Sequence, residues 1–278
     1  MVFPISAFDH GFNPLQRFLQ EVHVWSKLSH ENVLPLLGIT TKFDLTVSIV
    51  SPWMERGNAR EYVQNKAVDP RPLIMGVALG LNYLHTYKPG PIFHGDIKGV
   101  NVLISDDGQA LLADFGFSFI VNSSFSMNVP NEDKTKGTIN WMSPQSIEDG
   151  KVSVEADVWA FGMTALELFT RKNPFHYLPG IKPIIAAIVQ GRLPERPSTE
   201  DACSRMTDMW WNVFFRCWQY DPSLRPAMAT IVSWIADIVG SPLSAVFFVT
   251  YRSFQRRASH SSAPNGVFQM NGSIRPHR

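Results

Sequence analysis

Two short stretches carry residue types that together can do chemistry. His94-Gly95-Asp96-Ile97-Lys98-Gly99-Val100-Asn101 places an acid, a cation and an amide within one loop, and Asp114-Phe115-Gly116 supplies a second acid further on. Between them, Val102-Leu103-Ile104 and Ala110-Leu111-Leu112 flank Asp106-Asp107-Gly108-Gln109, two apolar runs around turn residues that predict a β-hairpin. A hairpin brings its ends together, so Asp96, Asn101 and Asp114 are expected to face one small volume. Two carboxylates and an amide oxygen are hard-oxygen ligands suited to Mg2+, which in turn suits a phosphate.

The elements that must position these groups are legible from periodicity. Residues 17–28 carry Phe18, Val22, Trp25 and Leu28 at helical spacing, and strand-like runs follow at 33–39 and 45–50. Residues 71–84 read as an amphipathic helix with Ile74, Val77, Ala78 and Leu81 on one face. Val154–Thr170 is apolar almost all round and predicts a buried central helix. In residues 231–249, Asp237, Gly240 and Pro242 interrupt an apolar run whose first half has helical period, so a docked terminal helix is expected rather than a membrane span. The pattern predicts a small strand-bearing front and a large helical back.

The chain has 278 residues, 45% of them hydrophobic, which is enough for a sizeable core and excludes wholesale disorder. A net charge of +1 argues against a protein that coats nucleic acid. The balance is uneven: residues 240–278 hold five arginines and no acid, leaving 20 basic and 24 acidic residues, a net of −4, on the other 239. Cys203 and Cys217 are too few for a disulfide framework or a zinc site, which suggests a reducing compartment. With no basic start at residues 1–15, no signal peptide is predicted. A cytoplasmic or nuclear location is the expectation.

His94-Gly95-Asp96 with Asn101 resembles the catalytic loop of the eukaryotic protein kinases, and Asp114-Phe115-Gly116 resembles their metal-binding triplet. Gly137-Thr138 and Trp141-Met142-Ser143-Pro144-Gln145 are similar to the end of the activation segment, with Gln where the family has Glu. Asp157-Val158-Trp159 through Gly162 resembles the family's central helix, Arg225 its late arginine, and Glu21 its helix C glutamate ahead of His30. The matches run in order over about residues 18–238. The resemblance implies an α+β, bilobal protein-kinase-like fold with a reduced N-lobe at residues 1–57, a helical C-lobe at 58–239 and a basic tail at 240–278.

For function, the resemblance implies ATP-dependent phosphoryl transfer to a protein substrate, where catalysis is mainly positioning and charge neutralisation. Asp96 would accept the hydroxyl proton, Lys98 would offset phosphoryl charge, and Asn101 and Asp114 would hold Mg2+. The family places Ser51 at the back of the adenine pocket, Met54 at the hinge and Leu103 beneath the ring. Lys98 together with Thr138 resembles the Ser/Thr-directed pattern. Several residues carry scaffold expectations: Phe115 packing on His94, Leu36 and Trp25; Asp157 as helix N-cap or as anchor of the catalytic loop; and a buried hydrogen bond from Arg225 to Gln145.

Two departures from the family pattern stand out. No Gly-x-Gly-x-x-Gly occurs in the sequence, and residues 1–16 contain no Lys or Arg, so the expected partner of Glu21 and the phosphate-cradling loop are missing from these 278 residues. Gly95 stands where many members have arginine, which predicts that phosphorylation of Ser123, Ser124 or Ser126 does not switch activity by the usual route. The sequence therefore supports a Ser/Thr protein kinase with an incomplete nucleotide clamp, against a catalytically impaired pseudokinase that binds partners. A small-molecule phosphotransferase, which His94-Gly95-Asp96 alone would permit, is opposed by the later motifs.

Overall fold

The computed structural model describes residues 2–4, 21–43, 46–115, 119–120, 138–202 and 205–240. The chain divides into two compact units, Met1–Ile238 and Val239–Arg278, and nearly all of the second lies outside the described residues. Ser123, Ser124 and Ser126, Cys203 and the tail arginines also lie outside them.

Few short strands and many helices make the α+β fold expected of the sequence. Strands β1 (Val2–Pro4), β2 (Gly38–Phe43) and β3 (Thr46–Val50) form an antiparallel sheet ordered β1-β3-β2. Its register pairs Val2 and Gly38 with Val50, on either side of the central strand. The sequence pattern predicted two strands here; the third comes from the start of the chain. The expected strand at 33–39 begins only at Gly38. Val33 makes a single parallel bridge to Leu112, and the Leu34 N–H reaches the Leu112 carbonyl at 2.9 Å. Pro35 has no N–H to give a ladder, and Leu34 is 0% exposed, so Val33 and Leu34 serve packing on the hairpin, and sheet pairing starts only where the Leu37 N–H reaches the Val50 carbonyl. Of the helix predicted at 17–28, residues 21–25 are helical and 17–20 lie outside the described residues.

The larger part is helical: α1 (Ala59–Tyr62), α2 (Arg71–His85), α3 (Pro144–Glu148), α4 (Val154–Thr170), α5 (Ile181–Val189), α6 (Asp208–Cys217) and α7 (Met228–Val239). Ile74, Val77, Ala78 and Leu81 of α2 are all buried. Strands β4 (Ile92–Phe93) and β7 (Phe119–Ile120) pair, as do β5 (Val102–Ile104) and β6 (Ala110–Leu112), the predicted hairpin, with Val102 opposite Leu112. Helix α4 begins at Ser153, whose side chain accepts the Ala156 N–H. Asp157 is thus not the cap. Gly162 lets α4 lie against α6, since a Cβ there would stand 2.6 Å from Trp218 Nε1 and 2.9 Å from Cys217 Cβ. Ile231 and Ile235 seat α7 in the core. Among the described residues no helix is long and apolar enough to cross a membrane.

Candidate active site

The start of the loop at 94–101 is held from below by one buried carboxylate. Asp157 Oδ2 accepts the His94 backbone N–H at 2.7 Å, and Oδ1 accepts the Gly95 N–H at 2.9 Å. His85, the last residue of α2, places Nε2 3.0 Å from the same Oδ2. Asp157 therefore anchors the loop, the second of the two roles the sequence allowed. His94 is fully buried, with Nε2 3.0 Å from the Ala113 carbonyl, so its ring clamps the loop to the end of the hairpin. Phe115 packs on it with ring centroids 5.2 Å apart and on Trp25 at 5.4 Å, both rings tilted, in the core against which Leu36 also packs.

Asp96 is 5% exposed and shares its Oδ2 between two donors, Lys98 Nζ at 2.7 Å and Asn101 Nδ2 at 2.9 Å. Its Oδ1 is buried without a hydrogen-bond partner. Lys98 Nζ also donates to Thr138 Oγ1 at 2.9 Å, which ties the loop to the segment leading into Trp141. The Asn101 carbonyl accepts the Ala113 N–H at 2.9 Å, so the hairpin sets Asp114 beside Asn101, as its spacing predicted. Asp114 is exposed and held at φ 63°, a left-handed backbone that is uncommon for a residue with a Cβ. These groups fit a hard cation. Both side-chain bonds of Asn101 use Nδ2, which turns its amide oxygen outward from Asp96.

The remaining candidates sit on neighbouring segments. Leu103 pairs with Asn58 across an isolated bridge, and the Ile104 N–H bonds the Gly57 carbonyl at 2.9 Å, so the hairpin abuts the stretch carrying Ser51 and Met54. Ser51 is buried and Met54 half-buried. Glu21 is half-buried on the helical residues 21–25.

The family model for protein tyrosine and serine/threonine kinases matches residues 9–235, a span that contains every one of these groups. The chain belongs to that family. It is also 30% identical over 230 residues to the serine/threonine-protein kinase STY17 of Arabidopsis thaliana, covering 81% of this chain and 38% of that protein. The chain thus spans well under half the length of this relative.

Two charged residues in the kinase core are more deeply engaged than their sequence context suggested. Arg225 donates to Gln145 Oε1 at 2.7 Å, the expected bond, and also to the carbonyls of Gln219 and Glu155 at 2.8 and 3.0 Å, with its guanidinium 5.1 Å from the Trp159 ring. Burial, without a carboxylate at 145 to offset it, pulls the Arg225 pKa down to about 10. Glu167 on α4 was not singled out by the sequence. It is 1% exposed, and its Oε2 accepts the Gly99 N–H and the Trp141 indole N–H, each at 2.9 Å. Burial raises its pKa to about 7 against the opposing pull of those two donors. The one available signal was an acid in the last turns of a helix that is largely apolar beyond Asp157.

Proposed function

We propose that this kinase domain transfers the γ-phosphate of ATP to serine or threonine hydroxyls of protein substrates. The observation that carries the reading is the bridge from Lys98 Nζ to both Asp96 Oδ2 and Thr138 Oγ1. Two donors occupy Asp96 Oδ2 and leave Oδ1 as an unpartnered buried acceptor, suited to the proton of an incoming hydroxyl. Lys98 keeps its ammonium beside that carboxylate, where it would neutralise charge on the phosphoryl group. Asn101 and Asp114 are the residues that would hold Mg2+, which supplies charge neutralisation on the phosphates when bound. Glu21, Ser51, Met54 and Leu103 form the nucleotide side. Residues 1–57 would serve as the N-lobe side, 58–239 as the C-lobe and 240–278 as a basic tail. The Ser/Thr direction is supported by the name of the Arabidopsis relative.

The alternative reading is a kinase-fold protein that binds partners without transferring phosphate. Phosphoamino-acid analysis of a mixed protein substrate after incubation with labelled ATP and Mg2+ separates the two. The kinase reading expects slow labelling of serine and threonine; label on tyrosine alone, or none above a heat-denatured control, rejects it.

A further inference from the structure

A closed hydrogen-bonded ring runs through the transfer site, and one oxygen atom joins its two arms. Starting from Glu167 Oε2, one arm goes through the Gly99 N–H to the adjacent Lys98, whose Nζ donates to Thr138 Oγ1. The other arm goes through the Trp141 indole N–H to Trp141, whose backbone N–H donates to the Thr138 carbonyl at 3.0 Å. Both arms end on Thr138. The fit at the joint is tight: a Cβ on Gly99 would stand 2.8 Å from Glu167 Oε1 and 3.0 Å from the Cβ of Arg60. Oε1 itself is buried with no hydrogen-bond partner.

We propose that Glu167 is a positioning residue: its ionised carboxylate closes this ring and so sets Lys98 against Asp96 and Thr138, while its protonated form loosens both arms together. The proposal rests on the reading of Lys98 as part of the transfer site. Its physical basis is that N–H donors bind a carboxylate about twice as strongly as a neutral oxygen, and here two such donors share one atom. The charged groups facing Glu167 are Arg60 from α1 and Lys98 from the loop. The turn at Ile139–Trp141 faces it with the indole alone, α6 packs Trp210 and Phe214 on Phe169, and α2 directs His85 to Asp157. Its pKa of about 7 places the switch between the two forms near neutrality.

The test uses the whole chain and reads the Trp141 indole and Gly99 amide by 1H–15N NMR between pH 5.5 and 8.5. Both signals are expected to titrate with one shared midpoint near pH 7 and to stay flat in Glu167→Gln, which keeps an acceptor but carries no charge. Trp141→Phe serves as the second variant should Glu167→Gln fail to fold. By removing a donor that favours the ionised form, it should move the Gly99 midpoint upward. Flat signals in the wild type, a titration that survives Glu167→Gln, or an unmoved midpoint in Trp141→Phe overturns the proposal. In parallel, wild-type kcat should fall about tenfold from pH 8 to pH 6, as one essential ionisation near 7 requires, and Glu167→Gln should flatten that limb. Turnover that depends on Asp96 but has the same pH profile in both forms overturns the coupling. Absence of Asp96-dependent turnover with the NMR titration intact overturns the kinase reading instead.

Discussion

At the residue scale, the site is a set of short-range choices about which oxygen each donor takes. Lys98 and Asn101 both choose Oδ2 of Asp96, and that leaves Oδ1 unpartnered. Lys98→Ala should therefore cost about 10²–10³ in kcat, the usual loss of one preorganised donor, with nucleotide KM little changed; a KM effect alone would place Lys98 outside the chemical step. Glu167 gives a second prediction, on stability. Its folded pKa of about 7 lies above the ordinary 4.5, so between those values the folded chain keeps a proton that the unfolded chain has lost. Stability contributed by that proton is full below about pH 4.5 and declines as pH rises to about 7, by about 3 kcal/mol at most. Urea unfolding should show wild type losing stability relative to Glu167→Gln across that window; a constant difference contradicts it. Asp96, Lys98 and Asn101 were legible because one loop holds them at fixed spacing. Glu167 was not, because its partners Gly99 and Trp141 are remote in sequence and meet it only after folding.

At the element scale, one helix organises the site. Helix α4 sends Asp157 to the His94 and Gly95 amides, Thr164 to the Ile97 carbonyl at 3.2 Å, and Glu167 to Gly99, so one face of it holds the loop at four successive points. Asp157→Ala strands the buried His94 N–H, the half-buried Gly95 N–H and the His85 ring. A loss of about 2–5 kcal/mol is expected in equilibrium unfolding, from donors left without an acceptor, and less than 1 kcal/mol would show the anchor to be dispensable. Gly162→Ala should cost about 1–3 kcal/mol by overpacking α4 against Trp218; an unchanged denaturation midpoint would contradict that contact. Elements with unambiguous period were readable: the hairpin at 102–112 and helices α2 and α4 fall where the pattern put them. The run at 33–39 was not, because Val33 and Leu34 pack on the hairpin and Pro35 interrupts pairing, so the strand-like composition of its first half answers to burial. β1 was missed because three residues carry too little period to be seen.

At the scale of the whole molecule, a net charge near zero hides an uneven distribution, with a net of −4 over residues 1–239 and five arginines without an acid over 240–278. Family membership was readable because many ordered motifs over most of the chain fix it together, as the match over residues 9–235 bears out. With no glycine-rich loop in these residues, ATP with Mg2+ should raise the melting temperature of this chain only slightly; a shift of several degrees at millimolar ATP would reveal a substitute phosphate anchor. Phosphoryl transfer by the hydrogen-bonded Asp96 cluster is the function proposed for this chain. Its most direct test is the rate of Ser/Thr phosphorylation by wild type and Asp96→Asn, each checked for an equal melting temperature. Wild-type transfer should be measurable and should fall by about 10²–10⁴ in the variant, the range of a lost general base. Equal rates in the two proteins would contradict it.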